Sequence, residues 1–405
     1  MKRFFLGLYL ILTCLGANAQ LKTPGDSATI SLITCSPGKE VYAQFGHTAI
    51  RVNDPNNGID VVFNYGIFSF DTPNFYYKFV KGETDYQLGV YDTRYFIPEY
   101  QERNSMVWEQ VLNLTSPEKQ RLIQSLLINN EPQNRLYRYN FIFDNCATRP
   151  RDMILKALDG KIENRAINET KTFRQWVGNY VGEKTWVKFG IDLTFGLDAD
   201  KLASREASMF LPEILMKEMQ TVRILASNGT TRNLVSENNI LVDKVPEKPE
   251  VFTWFSEPML MCTLLLIIGI FITVWDTKRK RHYKPFDSAL LIVSGITGLI
   301  VFYLMFFSVH PLVKYNYNLL WLNPLNLLAG IMLWFRRFRF IVFYFQLLNI
   351  LLLVGALIVF ALTLQELNVA TFPLIVLLLI RSTSWFAIKK SKQKKNKEVK
   401  KSTIK

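Results

Sequence analysis

Two residues carry most of the chemistry that can be read from this chain. Cys146 lies in Phe141-Ile-Phe-Asp-Asn-Cys-Ala-Thr-Arg-Pro-Arg-Asp152, and His47 lies in Gln44-Phe-Gly-His-Thr-Ala-Ile-Arg-Val52. His47 is the only histidine ahead of the long apolar stretches; His282 and His310 come far downstream. A thiol attacks as the thiolate, and a nearby imidazole makes that form available near neutral pH. The pair reads as a cysteine-dependent acyl-transfer site. Each residue alone has a plainer reading, Cys146 as a small buried thiol and His47 as a satisfied core histidine.

The surrounding pattern says what must position them. A helix is expected from Ala147 to Leu158, with Asp144 or Asn145 as cap and Pro150 in its first turn. A cysteine there feels the positive end of the helix dipole, and backbone N–H groups at that end can bind a developing oxyanion. His47 leads into a strand, Thr48–Val52, followed by the turn Asp54-Pro-Asn-Asn-Gly58 and a strand Ile59–Tyr65. If Asp54 pairs with Ile59, Ala49 lies opposite Asn64 and His47 opposite Gly66. His47 and Asn64 then share a face within side-chain reach, and the Asn64 amide can orient the imidazole. A slip of one residue would turn Asn64 away. Arg149 and Arg151 are candidate phospholipid-phosphate ligands; pairing with Asp152 or another carboxylate is the equal alternative.

Around this core, strands are expected at Thr29–Cys35, Tyr86–Tyr91 and Ser105–Leu114. Helices are expected from Ser116, as cap, to about Ile128, at Thr172–Tyr180 and at Ser208–Met219. Thr221–Val242 reads as a hairpin around Asn228-Gly229. The dense rings of Phe63–Tyr100 fit ordinary core, an apolar channel or a lipid contact. No metal set, Gly-x-Ser-x-Gly elbow or phosphate-binding loop is present, and no cofactor is expected.

Residues 1–19 read as a secretory signal: Lys2 and Arg3, an apolar core from Phe4 to Leu15, and Ala17-Asn18-Ala19 before the cleavage point. A 20–243 exported domain and a 244–258 linker follow. Five spans then fill 259–388: Met259–Trp275, Ala289–Phe307, Leu319–Phe335, Ile341–Leu364 and Val369–Ile388. In the fifth, Arg381 is expected to snorkel where the helix ends near Ile380. Trp254 and Phe255 are candidates for an interfacial belt. A basic tail occupies 389–405.

Charge orients these spans. Gln20–Glu257 holds 27 Lys and Arg against 30 acids, whereas the remainder holds 19 against 4. The basic residues gather at Lys278–Lys284, at Arg336–Arg339 and in the tail. Loops Ser308–Asn318 and Gln365–Asn368 carry Lys314 alone. That alternation places the large domain outside the inner membrane and the C-terminus in the cytoplasm. It also explains the overall +14 more simply than nucleic-acid binding does. The exported part keeps only Cys35 and Cys146, so a disulfide between them is the structural alternative to a free nucleophile.

Phe45-Gly-His-Thr-Ala49, followed a hundred residues later by Asp144-Asn-Cys-Ala-Thr-Arg149, resembles the exported domain of the Lnb-type lipoprotein N-acyltransferases of bacteria. Thr34-Cys-Ser-Pro-Gly38 and the multi-span second half also resemble that family. The resemblance implies an α+β, permuted papain-like (NlpC-like) domain, in which His precedes Cys, ahead of an all-α five-helix membrane domain. It matches Cys146 to the nucleophile and His47 to the base; Asn64 as third member rests on the register argument. It further implies a phospholipid or other lipid as acyl donor and the N-terminal amine of exported lipoproteins as acceptor. Two alternatives remain open: a membrane-tethered cysteine peptidase or amidase acting on peptidoglycan peptides, and a non-enzymatic scaffold with a structural disulfide.

Overall fold

The computed structural model describes residues 24–164, 169–182, 184–226, 228–245 and 257–403. The expected signal sequence, most of the linker, and Trp254 and Phe255 lie outside them. The chain is mixed α and β in its first half and helical in its second.

Seven strands form one antiparallel sheet in the order β10-β5-β1-β2-β3-β4-β6. They are β1 (Thr29–Cys35), β2 (His47–Asp54), β3 (Ile59–Ile67), β4 (Asp85–Asp92), β5 (Val107–Leu112), β6 (Leu136–Arg138) and β10 (Val235–Val242). A smaller sheet holds β7 (Lys161–Asn164), β8 (Val222–Leu225) and β9 (Thr231–Asn233). The hairpin expected around Asn228-Gly229 is therefore only β8 with β9; β10 leaves it to pair with β5.

Both faces of the large sheet are covered, which is why β1 is buried on both sides. On one face Ile30, Leu32, Ile50 and Phe63 pack against helices α3 (Ser116–Asn130), α4 (Thr148–Ala157) and α7 (Pro212–Thr221). On the other, Ile33, Cys35, Ala49 and Val62 pack against Phe96 and Tyr100 of α2 (Thr93–Glu102). Helix α3 is capped by Thr115, not Ser116. Glu118 reaches back to the Thr115 N–H and closes a capping box that Ser116, one residue on, cannot form. Among the described residues, α1 (Phe75–Lys81), α2, α6 (Trp186–Thr194) and a single helical turn at Arg205–Ser208 were not expected from the sequence. Helix α5 (Phe173–Val181) starts as expected behind Thr172.

Among the described residues, the second half has four helices long and apolar enough to cross a membrane: α8 (Pro258–Arg279), α9 (Lys284–Phe307), α11 (Arg339–Ala361) and α12 (Thr371–Thr403). The expected third span, Leu319–Phe335, is not one of them. It holds a 3-10 turn, Tyr317–Leu320, and the eight-residue α10, Leu325–Met332. Its composition is apolar, but Asn323 and Pro324 break the helix. Proline offers no N–H, and the Asn323 side chain takes the Leu325 N–H at 2.9 Å. The broken segment runs antiparallel to α9. Asn326 Nδ2 donates to Ser294 Oγ at 3.1 Å, while further along Ser288 Oγ donates to Gly330 O and Trp334 Nε1 donates to Ser288 Oγ. It therefore travels back along α9 without being a continuous helix.

Arg381 does not snorkel, and α12 does not end before it. The side chain is buried between helices: Nε donates to Asp287 Oδ1 at 2.6 Å and Nη2 to Asp276 Oδ2 at 2.7 Å. Two carboxylates from α8 and α9 compensate the cation, so it has no reason to leave the bundle.

The two halves are joined by buried polar contacts. Arg174 of α5 pairs with Asp192 of α6 at 3.1 Å and with Asp200 at 2.5 Å. Lys188 Nζ meets Asp192 at 2.6 Å. From the helical half, Asn368 Nδ2 donates to Asp192 Oδ2, and Asn316, Asn318 and Gln365 donate to the backbone oxygens of Leu193, Asp192 and Phe195.

Candidate active site

The strand pairing expected from the turn is present: Asp54 lies opposite Ile59 and Ala49 opposite Asn64. His47 and Asn64 consequently meet, with 2.5 Å between His47 Nε2 and Asn64 Oδ1. A carbonyl oxygen only accepts, so Nε2 carries the proton of this bond and Nδ1 is left for another partner. Tyr100 of α2 stacks behind the imidazole, its ring 6.4 Å away and 15° from parallel.

Cys146 comes to the same place from the loop before α4. Asn145 holds that loop: its Oδ1 accepts the N–H groups of Ala147 and Thr148 at 2.9 Å, and its Nδ2 donates to Phe141 O and Phe210 O. Thr148 Oγ1 returns a bond by accepting the Asn145 N–H. Of the two cap candidates, Asn145 is the one whose side chain bonds N–H groups at the helix start, although the N-cap position itself is Ala147. The N–H groups of Ala147 and Thr148 are thereby used, and they are not the oxyanion donors the helix start promised. The Cys146 N–H is bonded to no described residue and lies beside any carbonyl its own sulfur attacks. Gly66 closes the site from β3. It sits at φ +92°, and a side-chain carbon there would come 3.4 Å from Cys146 Cβ and 3.6 Å from Tyr139.

The thiol and imidazole set each other's charge. Burial pushes the Cys146 thiol up, but the His47 charge, a hydrogen bond from His47, the Thr48 backbone and the Tyr139 side chain outweigh it and bring it below its ordinary value. Burial works against protonated His47 too; the Cys146 thiolate, its hydrogen bond and Asn64 overcome this and raise the histidine. Both shifts favour a thiolate–imidazolium pair. Cys35, paired with His47 across β1 and β2, behaves oppositely: burial pushes its thiol far up despite a hydrogen bond with Tyr100. Cys35 and Cys146 are both free thiols, so no disulfide joins them.

Arg149 and Arg151 are committed to protein partners. Arg149 forms a two-pronged pair with Asp144, at 2.6 and 2.9 Å, and lies 3.6 Å from the centre of the Tyr137 ring. Arg151 is buried against Asp152 and the Glu206 carbonyl. The carboxylate alternative describes both, and neither is carried forward as a phosphate ligand. Tyr139 and Tyr100 belong to the site and were not found from the sequence; Gly66 was placed only as the residue opposite His47. Among the described residues no three His, Cys, Asp or Glu side chains form a metal-binding group.

The charge pair makes a pH prediction. An ordinary thiol titrates at about 8.5. Alkylation of Cys146 by iodoacetamide should therefore persist well below that pH, and His47→Ala should move its midpoint up. Asn64→Ala keeps the base but frees its ring and removes one group that holds its proton. It should lower activity less than His47→Ala does and should shift the alkylation profile. An unchanged profile in Asn64→Ala would remove Asn64 as the positioning residue.

Two family descriptions match the chain: the Lnb N-terminal periplasmic domain over residues 17–179 and the Lnb transmembrane domain over residues 250–393. No curated protein and no solved structure matches it. The first match contains His47, Asn64 and Cys146, and the second begins ahead of α8. With both halves matched in this order, the chain belongs to the Lnb family, membrane proteins with an N-terminal periplasmic domain and a C-terminal transmembrane domain.

Proposed function

We infer that this protein is a cysteine-dependent acyltransferase that moves an acyl chain from a lipid to the N-terminal amine of an exported lipoprotein. The observation that carries this reading is the Cys146–His47–Asn64 constellation, held in a domain fastened to the outer loops of membrane helices. The Cys146 thiolate attacks the ester carbonyl of a lipid. The new C–S bond forms as the C–O bond breaks, and His47 gives its proton to the departing alkoxide. The acyl chain then rests as a thioester. The incoming amine attacks that carbonyl, a C–N bond replaces the C–S bond, His47 takes the amine proton and Cys146 leaves as thiolate. The product is an amide. Asn64 acts through His47 by fixing which ring nitrogen faces the sulfur.

The order of His before Cys, with histidine on a sheet and cysteine ahead of a helix, supports a permuted papain-like domain. The loops support an orientation. Loops 308–318 and 365–368 bond to the periplasmic domain, whereas Lys278–Lys284 and Arg336–Arg339 lie at the opposite helix ends. The basic ends then face the cytoplasm of an inner membrane, the broken segment makes the third crossing, and the C-terminus is cytoplasmic. A peptidoglycan peptidase would use the same cysteine and histidine, but nothing in that reaction calls for fastening the site to a lipid bilayer. The scaffold reading loses its disulfide.

Incubation of the full-length protein with phospholipid alone should add one acyl mass to Cys146, removable by neutral hydroxylamine. A diacylated lipopeptide with a free N-terminus should then discharge it, and one with a blocked N-terminus should not. An active preparation that never carries an acyl group on Cys146, and cleaves a cell-wall peptide instead, would replace this reading with the hydrolase.

A further inference from the structure

A row of rings connects the nucleophile to the membrane half of the molecule. Tyr139, whose ring borders the space over Gly66 together with Cys146 Cβ, lies 5.2 Å from Phe141; Phe141 lies 5.8 Å from Phe79 and 5.9 Å from His310. His310 is three residues beyond the end of α9. Two bonds anchor the row there: His310 Nε2 donates to Phe79 O at 2.8 Å, and the Val309 N–H donates to Lys81 O at 2.9 Å. At this level the chain is exposed and apolar. Phe307 and Val309 are each 58% exposed, and Phe79 and Phe141 39% and 38%. Phe307 ends a membrane-length helix, so what covers it there is lipid, and the ring row is continuous with that surface. Burial holds His310 below its ordinary titration range, against the opposing hydrogen bond to Phe79 O, so the outer end of the row is uncharged near neutral pH.

The geometry points to a binding site for one acyl chain of an outer-leaflet glycerolipid, laid along Tyr139, Phe141 and Phe79 with its mouth at Val309 and His310. The assignment rests on the acyl-transfer reading, because only that reaction needs an acyl chain at Cys146. The rings offer apolar area without a charge. A chain extending from the thioester carbon would follow them out to the bilayer. Each methylene buried there favours binding by roughly fourfold. The donor would thus reach the thiol sideways from the membrane, without passing through water.

The test uses the full-length protein in phosphatidylethanolamine–phosphatidylglycerol vesicles doped with a phosphatidylcholine that carries a diazirine at the end of one acyl chain. After illumination, mass spectrometry should find the label on Phe79, Phe141, Val309 or His310. Label confined to the faces of α8, α9, α11 and α12 overturns the assignment. Thioester formation at Cys146 is measured in the same vesicles, so the two readings fail separately. Thioester without label on the row removes the chain site and leaves acyl transfer; label on the row without thioester keeps the chain site and removes acyl transfer. As a second readout, Phe141→Ala should lower the ratio of Cys146 acylation rates from dipalmitoyl and dihexanoyl donors by about fifteenfold, the loss of roughly two buried methylenes. Phe141→Leu should restore most of the ratio. An equal effect of Phe141→Ala on both donors overturns the assignment.

Discussion

Serine in place of Cys146 is expected to lower acyl transfer by ~10⁴-fold or more, and His47→Ala by a comparable factor. A hydroxyl in the same place cannot use the charge pair: its proton is held far more tightly than a thiol's, and the thiolate that raises His47 is gone. The losses should not add, because thiolate and imidazolium act as one unit, so the double variant should be no slower than the worse single one. Transfer to a diacylated lipopeptide, measured with membrane-inserted protein at matched amounts, checks this. Near-normal turnover by Cys146→Ser would remove the thiol from the mechanism. Cys35→Ser is the informative control: its thiol is held protonated by burial, so its loss should leave most activity in place.

The second large effect lies far from this chemistry. Arg381→Ala leaves Asp276 and Asp287 facing each other inside a helix bundle with the cation between them removed. Breaking one side of a buried ion cluster costs ~3–5 kcal/mol. A clear fall in the thermal unfolding temperature of the detergent-solubilised protein is therefore expected. Adding Asp276→Asn and Asp287→Asn to Arg381→Met should recover much of it, since the buried charges leave together. If Arg381→Ala unfolds with the natural protein, the cluster does not hold the helices in register.

What the sequence disclosed of the site followed from a period and a turn. Strand side chains alternate strictly, and Asp54–Gly58 pins one pairing, so the meeting of His47 with Asn64 could be computed residue by residue. Tyr139 could not be found that way. It reaches Cys146 because a short edge strand and a tight loop bring them together, and no spacing rule covers that loop. The choice between Asp144 and Asn145 as cap was likewise undecidable, since either side chain can bond the same N–H groups. Only the tertiary contact of Asn145 with Phe210 O and the pull of Arg149 on Asp144 separate them. Helix α1, Phe-Tyr-Tyr-Lys-Phe-Val-Lys, is poor in strong helix formers and is held by packing. In the membrane half, apolar composition located the segment around Leu325 and missed its break, because hydropathy does not count backbone N–H groups. Arg381 was misjudged for a related reason: its two partners sit on other helices, about a hundred residues away in sequence.

The junction at Asp192 has a consequence for how this molecule can be divided. The carbonyls of Asp192, Leu193 and Phe195 and one oxygen of Asp192 are satisfied by Asn316, Asn318, Gln365 and Asn368, all beyond the linker. A chain cut after residue 245 would lose those four donors and open to water the cluster of Arg174, Lys188 and Asp192, which is buried in the intact chain. The periplasmic half is therefore joined to the membrane half by buried hydrogen bonds as well as by the linker. Damage to loop 308–318 or 365–368 should then register as loosening around α5 and α6 before anything changes at the thiol.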